Sequence, residues 1–206
     1  MKRLIFAVLV LSAALARADG LASRPECTDS SSGLFFFPKG VLEAATEHAD
    51  VDQLLREWFA QHLRAMVEPT LSCKDPGGEV YRFLWLRTFD FPMAVRIAKV
   101  KGVATLSAVE LDGAGGYEPG KVSRRAHRKL TAEEWEQVAR KIEAIDFWNM
   151  PGQDGRYGLD GARWVLEGRR GYGYHLVNRW SPNEGAYTDL CRSLLNLAGL
   201  PIRERR

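Results

Sequence analysis

Residues 79–111 read EVYRFLWLRTFDFPMAVRIAKVKGVATLSAVEL, and their period decides the fold. From Glu79 the side chains alternate: Val80, Arg82, Leu84 and Leu86 point one way, Tyr81, Phe83, Trp85, Arg87 and Phe89 the other. A period of two carried by β-branched and aromatic residues is the pattern of a strand. Both sets are largely apolar, which places this strand at the centre of its sheet. Residues 93–100 and 105–111 read as the next strands, with Lys101 and Gly102 as the tight turn between them. The glycine-rich stretch 112–120 is a loop whose residues tolerate positive φ, and residues 121–130 form a fourth, polar strand.

Helical periods flank this meander. Asp50 followed by Gln53 has the form of an N-cap with a capping-box partner. Val51, Leu54, Leu55, Trp58, Phe59, His62, Leu63 and Met66 then recur on one face of a helix that stops before Pro69. A looser helical pattern covers 41–48. Thr131 and Glu134 form a second capping box, ahead of the stripe Trp135, Val138, Ala139, Ile142 and Ile145. Beyond a loop at 149–158, the segment 158–182, GLDGARWVLEGRRGYGYHLVNRWSP, reads as a hairpin, and a last helix over 184–197 closes at Ala198, Gly199 and Pro201. Short connections imply antiparallel pairing. The sequence therefore predicts one α+β domain over 41–200, an antiparallel sheet of about six strands (a meander of four plus a C-terminal hairpin) with helices packed on one face.

The chain opens with Lys2 and Arg3, an apolar run from Leu4 to Leu15, and the small residues Ala16 and Ala18, the pattern of a signal peptide over 1–18. That run falls short of the roughly 20 residues a membrane span needs, and no later stretch is apolar for that long, so no transmembrane segment is expected in the mature chain. The full chain has 29 basic and 26 acidic residues, and removing Lys2, Arg3 and Arg17 with the signal leaves 26 against 26. A nucleic-acid partner is not expected from that balance. The expected location is periplasmic or secreted. Residues 19–40 read as a flexible N-terminal segment, and 201–206 as a frayed, basic C-terminal tail. Of three cysteines, Cys27 and Cys73 lie in polar, turn-like surroundings and are the favoured disulfide, with Cys73 to Cys191 as the alternative. Cys191 shares helical spacing with Leu194, Leu195 and Ala198.

The hairpin holds the candidate functional residues. With an even turn at Arg169 and Arg170, Trp164, Leu166, His175, Val177 and Arg179 share one face, and Arg163, Val165, Glu167, Leu176, Asn178 and Trp180 the other. Glu167 and His175 then point apart; a bulge of one residue would reverse this. Asp160 with Gly161 reads most simply as a turn cap. The sequence holds no HExxH or paired CxxC, and neither GxGxxG, GxxxxGK[ST] nor GxSxG. No metal site, nucleotide site or cofactor is expected, and no catalytic residue is assigned.

Two surfaces are candidates for binding: Asp160, Arg163, Trp164, His175, Arg179 and Trp180 on the hairpin, and the basic run Lys121, Arg124, Arg125, Arg128 and Lys129. The run reads either as a contact for an anionic partner or as an edge strand whose charges oppose aggregation. The leading expectation is a non-enzymatic domain that binds an envelope protein or an anionic envelope component. The alternatives are an envelope hydrolase using Asp160, Glu167 or His175 and a purely structural envelope protein.

Residues 80–89 (VYRFLWLRTF), 158–168 (GLDGARWVLEG) and 174–182 (YHLVNRWSP) resemble a recurrent pattern in an uncharacterised family of signal-peptide-bearing bacterial exported proteins, over about 52–200. That resemblance implies an exported, single-domain protein and brings no activity or ligand with it.

Overall fold

A computed structural model of the protein describes residues 36–42, 49–73 and 75–205. The elements run α1 (Ala49–Met66), β1 (Gly78–Arg87), β2 (Met93–Val100), β3 (Val103–Leu111), β4 (Val122–Lys129), α2 (Ala132–Ala144), a 3₁₀ turn (Phe147–Asn149), β5 (Ala162–Arg170), β6 (Gly173–Trp180) and α3 (Ala186–Ala198). The strands form one antiparallel sheet in the order β4-β3-β2-β1-β5-β6, the α+β architecture the sequence predicts. β1 is central, with Phe83 opposite Val95 on one side and Leu166 on the other. Lys101 and Gly102 turn with φ of 49° and 80°, the positive pair that a two-residue hairpin of type I′ needs. The second hairpin turns at Gly171 and Tyr172 instead of Arg169 and Arg170, which stay in β5. The displacement is an even one, so the predicted faces hold: Trp164 pairs with Arg179 and Arg163 with Trp180.

The helices do not share one face. Tyr81, Phe83, Val95, Leu106 and Leu166 pack under Trp135, Val138 and Ile142 of α2 and Leu190 and Leu194 of α3. Leu84, Leu86, Ala94, Val109 and Val165 pack under Leu55, Phe59, Leu63 and Met66 of α1. Apolar residues on both sides of β1 demand this, since an uncovered face would leave a large apolar surface in water. With both faces covered, the surfaces left for binding are the sheet's ends, its edges and the outer sides of the helices.

Thr131 caps α2 as predicted: its hydroxyl accepts from the Glu134 amide at 3.1 Å, and Glu134 accepts from the Thr131 amide at 2.8 Å. α1 begins at Ala49, so Asp50 lies within its first turn and not at the cap. The segment expected to be flexible over 19–40 is packed where it is described. Phe36 and Phe37 are buried, Phe37 meets Phe59 edge-on at 6.2 Å, and Asp52 of α1 accepts from the amides of Gly40 and Leu42. The signal segment 1–18, Cys27 and most of the expected helix over 41–48 lie outside the described residues. Cys191 is a buried free thiol, which removes the Cys73 to Cys191 alternative. No helix among the described residues is long and apolar enough to cross a membrane.

Candidate functional site

The hairpin residues do not form a common surface. Trp164 is buried in the core beneath α3, and Arg179, on the same face, donates to the Pro151 carbonyl at 2.7 Å and lies over the Tyr187 ring. His175 donates from Nε2 to the Met150 carbonyl at 3.0 Å and packs edge-on against Phe147; burial holds its pKa below the ordinary histidine value. Arg163 is buried on the opposite face, its guanidinium 4.9 Å from the Trp180 ring and 5.6 Å from that of Tyr157. Asp160 is exposed and caps no turn among the described residues. The bend at Gly161 is fixed instead by Thr88, whose hydroxyl accepts the Gly161 amide, and by Ser181, whose hydroxyl accepts the Ala162 amide.

Glu167 belongs to a buried ion network beneath α1. Arg82 Nε donates to it at 2.8 Å and the Tyr174 hydroxyl at 3.0 Å. Arg82 also donates to Glu68 and to the Pro69 carbonyl, and Arg96 donates to Glu68 at 2.8 Å. Burial pushes Glu167 upward, opposed by the charge and hydrogen bond of Arg82. Glu167 and His175 thus face opposite sides of the sheet and Asp160 stands apart at its end, so the three do not converge on a reacting atom.

The basic run is the edge strand β4, and its arginines serve the fold. Arg124 pairs with the buried Glu110, Arg125 donates to the Met66 carbonyl at 3.2 Å, and Arg128 grips both oxygens of Glu134 at 2.9 Å while reaching the Leu197 carbonyl. Lys121 and Lys129 are exposed. A cleft of about 370 Å³ between α2 and α3 is lined by Arg128, Glu134, Gln137, Lys141, Ser193 and Asn196, and two of its three charged side chains, Arg128 and Glu134, are already joined to each other.

Nor is the C-terminal segment frayed. Arg203 joins Arg124 on Glu110, and its backbone carbonyl accepts from Arg87 at 2.8 Å. Burial alone would raise Glu110, but the hydrogen bonds from Arg124, Arg203 and Ser123 hold it below the ordinary carboxylate value.

An exposed aromatic cluster that the fold organises lies at the end of the sheet where β1, β3 and β6 finish. Phe89, on the β1–β2 loop, and Tyr117, on the β3–β4 loop, stack with centroids 6.1 Å apart while remaining 55% and 59% exposed. Tyr157 and Leu159, 53% and 93% exposed, stand on the loop entering β5. Thr88 ties the three loops together. Its carbonyl accepts the Gly116 amide at 3.0 Å, its amide donates to the Gly161 carbonyl at 2.8 Å, and its hydroxyl accepts the Gly161 amide at 3.2 Å.

α1 supports the β3–β4 loop from beneath: Trp58 donates to the Gly115 carbonyl at 2.9 Å, Gln61 to that of Tyr117 at 3.3 Å, and His62 lies 3.4 Å from that of Ala114. A Cβ at Gly115 would stand 2.5 Å from the Arg87 carbonyl oxygen, so only glycine lets the loop lie this close to β1. The sequence carried a signal for this surface that the hairpin obscured, namely aromatic residues inside Gly-, Asp- and Pro-rich loops, where no core requires them.

The fold and this surface define an α+β domain with a rigid, aromatic-bearing loop end. Comparison with models of protein families and with curated proteins finds no match to the chain.

Proposed function

We propose that the protein is an exported, non-enzymatic interaction domain of the bacterial cell envelope that holds a protein partner at the loop end of its sheet. The observation that carries this is the stacked, half-exposed pair of Phe89 and Tyr117 on loops that Thr88 and α1 fix in place. Aromatic side chains held rigid before contact supply apolar area at little entropic cost, which is why they dominate protein interfaces. Export is supported by Lys2, Arg3, the apolar run to Leu15 and the small residues Ala16 and Ala18. The Cys27–Cys73 bridge belongs to the same proposal, since an oxidising compartment favours it.

The test is affinity capture from envelope extract with the wild type and with the double variant Phe89→Ser, Tyr117→Ser, alongside thermal melts. Loss of one defined partner band, with the melt unchanged, supports the proposal. Undiminished capture by the folded variant rejects it.

A further inference from the structure

The segment 201–205 lies in a groove whose side chains read it as a peptide. Contacts fall on alternate residues, as in an extended chain. Arg124 donates to the Pro201 carbonyl at 2.6 Å, Arg87 to the Arg203 carbonyl at 2.8 Å, and Asp90 accepts the Arg205 amide at 2.8 Å. One side chain of the segment enters: Arg203 meets the fully buried carboxylate of Glu110, approaches the Ser123 hydroxyl and lies 4.8 Å from the centre of the Phe91 ring. Ile202 and Glu204 stay exposed. A segment kept only to stabilise the fold would bury apolar side chains, yet every residue from 201 to 205 is exposed. Its hold is polar and charge-assisted, and backbone contacts of this kind accept any extended chain while the acidic pocket selects arginine.

We propose that this groove is a recognition site for an extended, arginine-bearing segment of another protein, and that residues 201–205 occupy it in cis as a competing tail. Charge complementarity identifies the occupant. Without Arg203, Glu110 keeps Arg124 and the Ser123 hydroxyl but loses one of its two arginines, and the cation–π position over Phe91 is vacated. The groove is built from Arg87, Asp90, Phe91, Glu110 and Arg124, none of which is among the exposed loop aromatics, so it stands or falls independently of them.

Fluorescence anisotropy of a labelled peptide of residues 201–206 tests this on the full-length chain. Arg203→Ala, which weakens the cis tail, binds the peptide at least tenfold more tightly than wild type. Adding Glu110→Gln, or replacing the arginine at peptide position 203 by alanine, removes the gain. Absence of binding to a folded Arg203→Ala chain, or equal binding of the alanine peptide, overturns the proposal. Should Arg203→Ala fail to fold, hydrogen exchange on the wild type decides: excess peptide accelerates exchange of the Arg205 amide if the tail is displaced, and an unchanged rate overturns the proposal. Concentration-dependent dimers formed by tail exchange would make the occupant a second copy of this chain and overturn the assignment to another protein.

Discussion

The rings of Phe89 and Tyr117 stack 6.1 Å apart with 30° between their planes, although they sit on different loops and each is more than half exposed. Their approach depends on the backbone beneath, where Gly115 and Gly116 lie against Arg87 and Thr88. Gly115→Ala should destabilise the protein by about 1–3 kcal/mol, the usual cost of forcing a methyl group into filled space. Urea unfolding checks this, and an unchanged midpoint would mean that the loop relaxes freely and imposes no geometry on Tyr117.

Arg82 and Glu167 form an ion pair with no exposure at either residue, beneath α1. Arg82→Met strands Glu167 and should cost about 3–5 kcal/mol, whereas adding Glu167→Leu removes the stranded charge and should restore part of that loss. Chemical denaturation of the two variants measures it. A double variant less stable than the single one would contradict the pairing.

The Arg128–Glu134 pair sets an acid limit. Two bonds from Arg128, together with the amide of Thr131, lower the Glu134 pKa from 4.5 to about 2. A carboxylate depressed in the folded state contributes its stability above the unfolded value, and that contribution is lost as pH falls toward the folded one. The difference in melting temperature between wild type and Glu134→Gln should therefore be constant from pH 7 to 5 and narrow between about pH 4.5 and 2. A difference that persists undiminished at pH 2 would show that the charge is not what stabilises the cap.

Cys191 is wholly buried, and burial pushes its thiol pKa upward. If the proposed Cys27–Cys73 bridge forms, the oxidised chain shows no rapidly reacting thiol when native and one when denatured. Counting thiols before and after denaturation checks both halves. Three thiols in the denatured, unreduced protein would remove the bridge.

Residues 79–111 made the sheet legible because strand period, central burial and the Lys101–Gly102 turn are local properties of the chain. The same residues already carried the correction to the helix placement, since β1 is apolar on both sides and needs cover on both. Partners distant in sequence were not legible. Arg82 meets Glu167 across 85 residues and Arg203 meets Glu110 across 93. Read singly, Glu167 is a candidate catalytic group and Arg203 part of a frayed end. The hairpin showed the limit of composition: Trp164 and Arg179 suggest interface anchors by residue type, but their strand face turns both into the fold. The aromatic loop end was hidden for the complementary reason, since Phe89 and Tyr117 are 28 positions apart and meet only once Thr88 binds Gly116.

The most direct test of the loop end as the binding surface is a photo-crosslinking amino acid placed at Tyr117 in cells, with the same group at Tyr172 as control. Tyr172 is 78% exposed but lies at the turn joining β5 to β6, at the opposite end of the sheet. Binding through the loop end predicts one discrete crosslinked species from position 117 and none from position 172. No adduct at 117, or the same adduct from both positions, would contradict it.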